Sequence, residues 1–346
     1  MLKKKKFYLG AAQFGQEYGV TNTKQLDFAE IEKICSFALK NKIKDIDTSP
    51  MYNSSEKLIG SLSANFRLTT KIPTFNSSHL TYKSWIEKSI QTSLKNLKAQ
   101  SLEGLLFHNM NDFNERFDKN CTAFIQSLKL SGVIKKVGFS IYDEVELING
   151  VKKLIPDVIQ VPYSIFDRRI ESYPLITQLK ENRTEIIGRS IFLQGLLVNP
   201  AFDYKNLFGK KSSVFKEWYM SCYQHRISPI NACMSFILDS DFIDSFVVGA
   251  SSKKDLSEIT KAYSNDWSAA ITSKVISDEN ESYLINNFEE IKTDSYDLNM
   301  KLYLKEGKKW MKNKYGFSNK WAFQMYVKNF YDKFFDNNPE YINYKL

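Results

Sequence analysis

Four side chains in the first third of the sequence carry complementary chemistry: Asp47, Tyr52, Lys71 and His108. Asp47, Lys71 and His108 each end an apolar run of strand character, and Tyr52 lies in the segment just after the first of these. A phenol can deliver a proton, but its free pKa is near 10. A neighbouring ammonium stabilises the phenolate and lowers that value. On this reading Lys71 activates Tyr52, and Asp47 holds Lys71 in place and keeps it charged. His108 hydrogen-bonds a carbonyl oxygen and orients it. Such a set suits reduction of a carbonyl, in which carbon takes a hydride and oxygen a proton. Each residue alone has a structural explanation. Asp47 could cap a helix, Tyr52 is one of 19 tyrosines, Lys71 could be solvated and His108 could be a buried imidazole. The argument rests on all four falling at consecutive strand ends.

The elements that must position them alternate along most of the chain. Strand patterns fall at residues 7–14, 43–48, 68–72, 102–108, 137–141, 158–161, 186–192 and 245–248. Helical patterns fall at 28–40, 56–62, 82–97, 113–130, 144–154, 175–179, 214–225, 229–239 and 254–263. In the first long helix Ile31, Ile34, Cys35 and Ala38 share one face. Strands alternating with helices predict a parallel α/β fold, and a count of eight predicts a closed (β/α)8 TIM barrel. Catalytic residues of that architecture sit at the carboxyl ends of strands, where these four lie. No GxGxxG follows the first strand, which argues against a Rossmann domain. The barrel is assigned to residues 1–284. Residues 285–346 form a helical, aromatic-rich C-terminal extension, in which Phe323, Tyr326, Phe330 and Phe334 recur at helical spacing. It would pack on the barrel, cover the active site or mediate a homo-oligomer.

Composition narrows the partners. With 346 residues, 43% hydrophobic and 25% charged, the chain is ordinary globular protein. A net charge of +9 attracts anions, and phosphate-bearing cofactors or substrates suit it. No helix-turn-helix, zinc-finger or RNP pattern points to nucleic acid. Cys35, Cys121, Cys222 and Cys233 form no CxxC pair and no metal-type spacing, which predicts free thiols in a reducing compartment and no metal site. No apolar run reaches the length of a membrane span. The start, MLKKKKFYLGAAQFG, places charge before apolar residues, but the apolar stretch is short and broken by Gln13. A first strand and a cytoplasmic protein are the expectation.

The motifs go further. KDIDTSPMYNSSEKLIG resembles the DTAxxYGxSExxlG signature of the aldo-keto reductases, and LGAAQFGQEYGVTN resembles that family's first-strand motif. TKIP, LLFHN, GVIKKVGFSIY, DVIQVPYSIFD, RSIFLQGLL and FVVGASSKKDL resemble further family blocks, in family order, over roughly residues 7–265. The resemblance implies a catalytic tetrad of Asp47, Tyr52, Lys71 and His108, and NADPH, less often NADH, as cofactor. It implies that Ser140 and Gln160 hold the nicotinamide carboxamide, although Ile141 stands where the family often has Asn. Arg189 stands where a Tyr commonly stacks on the nicotinamide. Ser190, Phe192, Gln194 and Gly195 would line the pyrophosphate path. The segment 249–258, with Gly249, Ser252, Lys253, Asp255 and Glu258, would meet the adenosine 2′-phosphate. There Asp255 repels a phosphate while Lys253 and Lys254 attract one, with a lean to NADPH. Gln16, Tyr18, Met51, Asn109 and Phe166 are weaker candidates for substrate contact.

The implied activity is NAD(P)H-dependent reduction of an aldehyde or ketone. The first-strand motif resembles a bacterial branch often associated with sugar or surface-polysaccharide metabolism. Two other readings stay open: a cofactor-binding interaction module resembling the potassium-channel β-subunits, and a barrel isomerase or lyase that uses the cofactor transiently.

Overall fold

Short apolar runs become strands that pair in parallel, each with the next. They are β1 (Lys6–Gly10), β2 (Asp45–Asp47), β3 (Arg67–Ile72), β4 (Leu102–Phe107), β5 (Ile134–Ser140), β6 (Val158–Pro162), β7 (Glu185–Arg189) and β8 (Ser245–Gly249). β8 returns to pair with β1, so the sheet closes into an eight-strand barrel. The computed structural model describes residues 5–21, 24–202, 213–224 and 227–264.

The helices that cover the barrel are α1 (Ala12–Gly15), α2 (Phe28–Lys40), α3 (Ser55–Ser61), α4 (Tyr82–Leu97), α5 (Met110–Arg116), α6 (Lys119–Leu130), α7 (Glu144–Val151), α8 (Pro174–Glu181), α9 (Ser213–Gln224), α10 (Pro229–Asp239) and α11 (Lys253–Ser264). Their starts are written locally. The side chains of Asp27, Thr81, Asp118, Asp143 and Ser228 each accept a backbone N–H three residues on, satisfying donors the first turn leaves unpaired. Proline opens α8 and α10, where its missing N–H costs nothing.

Strand alternation divides the residues between two environments. Leu9, Ile46, Leu68, Leu105, Phe107, Phe139, Ile159, Ile186 and Phe246 belong to the large core shared with the helices. Tyr8, Leu106, Val158 and Ile187 form a second, inner cluster with Val247. The inner set is one residue out of step with the outer, and so are Asp45, Asp47, Lys71 and Gln160. The same alternation that buries the core therefore turns these polar groups inward.

Three expected elements differ. The first strand was expected over 7–14 but stops at Gly10, and residues 12–15 form a helical turn. Its neighbours end at Asp47 and Gly249, so no ladder partner remains beyond that point. The seventh was expected over 186–192 but ends at Arg189, the partner of Pro162. Ser190, Leu193 and Gln194 then adopt positive φ. The helix expected over 113–130 is two helices, because Phe117 leaves the helical path and stacks on Phe113 at 4.3 Å, and Asp118 caps the next start. The extension expected over 285–346, and its boundary at 284, lie outside the described residues.

Candidate active site

Asp47 ends β2 and Lys71 lies one residue short of the end of β3, and both are inside the barrel. Lys71 is 1% exposed and Asp47 4%, a depth at which charges persist only when paired. The Lys71 Nζ donates to Asp47 Oδ1 and Oδ2 at 2.9 and 2.8 Å and to the Thr48 carbonyl at 2.9 Å. An ammonium has three N–H donors, and these three acceptors use them all. Gln160, from β6, donates its amide to Asp47 Oδ1 at 2.8 Å.

Tyr52 sits in the loop after β2, its ring centroid 5.3 Å from Lys71 Nζ and 6.4 Å from the His108 ring, which it meets edge to face. The loop is pinned on several sides. Tyr52 N–H donates to the Ser49 carbonyl at 3.0 Å, Ser55 N–H to the Tyr52 carbonyl at 3.0 Å, and Ser55 Oγ to the Ala11 carbonyl at 2.8 Å. The helical turn α1 packs directly beneath it. A Cβ added to Gly15 would lie 1.8 Å from the Tyr52 carbonyl oxygen, so only glycine lets the two backbones approach this closely. His108 follows β4, and its Nδ1 is 3.5 Å from Ser49 Oγ.

The electrostatics correct one expectation. Lys71 was expected to lower the pKa of Tyr52. Instead burial, and then the Asp47 carboxylate, push the Tyr52 phenol well above its ordinary value. The reason is geometric: Lys71 spends its charge and all its donors on Asp47 and Thr48. Burial also lowers Lys71, against the pull of Asp47. Burial, then the charges of Lys71 and Arg189, push His108 down to about 3. At neutral pH the site holds a protonated phenol and a neutral imidazole.

From this point a cleft of about 390 Å³ runs over the top of the barrel. Among the described residues it is lined by Asp47, Tyr52, Tyr18 and Gln160 at the tetrad. The end of β1 with the first residues of α1, the segment 189–199, and the end of β8 with the first turns of α11 line most of the rest. Ser190, Phe192, Gln194, Gly195, Gly249, Asp255 and Glu258 lie on its wall. A Cβ on Gly195, at φ +93°, would fall 2.1 Å from Thr21 Oγ1. The segment therefore depends on glycine to turn under the cleft. A long groove with glycine-dependent backbone, hydroxyls and amides along it fits an extended, polar dinucleotide.

Other expected contacts are placed differently. Ser140 is buried opposite Gln160 in the strand register and is not on the cleft wall. Gln160 is on the wall, with its amide already engaged by Asp47. Arg189 reaches the cleft, but its guanidinium lies 4.3 Å from the Tyr142 ring centroid and donates to the Ile141 carbonyl at 3.3 Å. Ser252 caps α11, accepting Asp255 N–H at 3.0 Å, and Lys253 is exposed; neither lines the cleft. Of the weaker candidates, Tyr18 faces Tyr52, and both burial and that neighbour raise its phenol. Asn109 caps α5 through Asn111 and Asp112 N–H, and Phe166 is buried against Trp218. Sequence reasoning missed Tyr142 and Ser251. Ser251 Oγ accepts from Gln13 at 2.9 Å, a contact between residues 238 apart that no local pattern announces.

Among the described residues no helix is long and apolar enough to cross a membrane, and no cluster of three or more His, Cys, Asp or Glu is placed to hold a metal. The four cysteines are buried free thiols.

Residues 6–275 match the family described as Aldo/keto reductase. The chain is 24% identical over 246 residues to Uncharacterized oxidoreductase YqkF of Bacillus subtilis, covering 65% of this chain and 79% of that protein. It is 27% identical over 144 residues to D-arabinose 1-dehydrogenase of Saccharomyces cerevisiae, a match spanning 39% of this chain and 42% of that enzyme. Its fold is similar to that of the aldo-keto reductase AKR11C1 from Bacillus halodurans in its holo form, with a TM-score of 0.63 and 20% identity over 78% of this chain and 90% of that one. With the barrel closed, the four polar groups gathered at its mouth and the match running along most of the sequence, this chain belongs to the aldo/keto reductase family.

Proposed function

We propose that the protein reduces the carbonyl of a sugar or sugar nucleotide to an alcohol at the expense of NAD(P)H, with Tyr52 as the proton donor. The reading is carried by one observation: Asp47, Tyr52, Lys71 and His108 come together at the carboxyl ends of neighbouring strands, with Asp47 and Tyr52 on the wall of the cleft that runs from there over the barrel. The sugar assignment leans on the similarity to D-arabinose 1-dehydrogenase. The buried thiols suit a reducing compartment, and we place the reaction in the cytoplasm.

A bound nicotinamide supplies the hydride to the carbonyl carbon. Gln160, Ser190, Phe192, Gln194, Gly195 and Gly249 would hold the dinucleotide along the cleft, with Arg189 beside it. Tyr52 delivers the proton that the carbonyl oxygen needs as negative charge builds there. Burial keeps the phenol protonated in the resting protein, so the donor is loaded across the neutral pH range. Once the proton has left, the Lys71 ammonium 5.3 Å from the Tyr52 ring offsets only part of the cost that burial and the Asp47 carboxylate put on the phenolate. Asp47 keeps that ammonium ionised inside the barrel. His108, neutral and beside Tyr52, orients the carbonyl oxygen by hydrogen bonding.

The test is Tyr52→Phe. Removing a general acid lowers turnover by about 10²–10⁴-fold, while dinucleotide binding, followed by fluorescence, persists. A Tyr52→Phe protein that reduced a good carbonyl substrate as fast as the parent would end the proton-donor assignment.

A further inference from the structure

Among the described residues, α11 places Asp255, Glu258 and Ile259 on the cleft wall, two carboxylates and no cation. Asp255 and Glu258, one turn apart on that helix, both face the cleft. The helix start, where exposed N–H groups and the dipole would ordinarily welcome an anion, is already filled by the protein. Glu30, reaching over from α2, accepts Lys253 N–H on Oε1 at 2.8 Å. Ser252 Oγ accepts Asp255 N–H at 3.0 Å, and Asp255 Oδ2 accepts Ser251 N–H at 3.2 Å. The Lys253 hydrogen bond, and then Lys33, hold the Glu30 carboxyl below the usual carboxylate range. The cations nearby do not offset this. Lys33 is paired with Glu30 at 3.2 Å, and Lys253 and Lys254 are exposed and off the cleft wall.

We propose that Asp255, backed by Glu30 at the helix start, selects an unphosphorylated adenosine ribose, so that this protein binds NADH in preference to NADPH. The proposal rests on reading the cleft as a dinucleotide site. A ribose diol is a hydrogen-bond donor and meets carboxylate acceptors favourably. A ribose phosphate is an anion with acceptor oxygens only. At Asp255 it would face like charge, and it would find the N–H groups of Ser251, Lys253 and Asp255 already committed. This reverses the lean to NADPH drawn from Lys253 and Lys254 in the sequence.

The experiment is a fluorescence titration of the full chain with NADH and with NADPH at low ionic strength. The expected result is a Kd for NADH at least tenfold below that for NADPH, with the ratio shrinking as salt screens the repulsion. Asp255→Asn and Glu30→Gln each remove a charge but keep an acceptor oxygen for the helix start. Each should narrow the ratio severalfold, through tighter NADPH binding. Equal or tighter binding of NADPH by the parent protein overturns the proposal, as does a ratio that neither variant moves. If neither dinucleotide binds the folded protein, the reading of the cleft fails and this selection falls with it; a protein that binds NADPH best leaves that reading intact and overturns the selection alone.

Discussion

Replacing Lys71 by Met separates what the buried ion pair does for folding from what it does for chemistry. Met has nearly the length of Lys and no charge, so the change leaves little void. It strips the Asp47 carboxylate of both ammonium contacts and leaves Gln160 as the donor at 2.8 Å. The Thr48 carbonyl loses its partner too. At 1% and 4% exposure, water does not replace those contacts. Breaking a buried pair from one side costs about 3–5 kcal/mol. At about 2 °C per kcal/mol for a chain of this size, Tm falls by roughly 6–10 °C. The Asp47→Asn/Lys71→Met double variant has no uncompensated charge, because removing both partners is far cheaper than removing one. It should recover at least about 2 kcal/mol relative to Lys71→Met, a coupling that marks direct contact. Calorimetry or thermal unfolding by circular dichroism reads the stabilities, and dinucleotide oxidation with a carbonyl substrate reads the chemistry. Stability should return in the double variant while turnover stays absent. A Lys71→Met protein melting within 2 °C of the parent, or a double variant no more stable than it, would refute the account of a dry, fully engaged ammonium.

Three further outcomes follow from named contacts. Because the folded protein holds His108 down to about 3 and an unfolded His titrates near 6.5, the unfolded chain binds one more proton between these values. Stability contributed by neutral His108 is complete above about 6.5 and is lost as pH falls toward 3, with a slope of up to about 1.4 kcal/mol per pH unit; denaturant unfolding at several pH values should show a shallower slope in His108→Gln. Gly15→Ala drives a methyl group into the Tyr52 carbonyl and displaces the loop; turnover should drop by about 10-fold or more while dinucleotide affinity holds, since misplacing a catalytic group by about 1 Å can cost 10². At the opposite end of the barrel Glu185 accepts from Lys136, Ser245 and Tyr8; Glu185→Ala should cost about 2–4 kcal/mol in chemical denaturation and leave turnover unchanged, as fits the stability face of this architecture.

Much of this protein was legible in one dimension. Apolar runs alternating with amphipathic helical stretches determined eight strands and their order, because a strand must hide two faces and a helix one. The strand patterns put Asp47 and Lys71 at strand ends and Tyr52 in the loop just after the first of them, while their turning into the barrel was read from the folded molecule. Element ends were less legible: whether β1 reaches Phe14 or stops at Gly10 depends on where its neighbours stop. The charge state of Tyr52 also needed the folded molecule. Sequence shows that an ammonium is near but not how its three donors are spent, and their commitment to Asp47 and Thr48 reverses the expected shift. At the far end of the cleft, Lys253 and Lys254 read as a phosphate site along the chain. The fold turns them outward and brings Glu30 across 223 positions to the same helix start. Periodicity reports burial because every residue feels its own chain geometry. Charge balance at a site belongs to residues that only the closed barrel brings together.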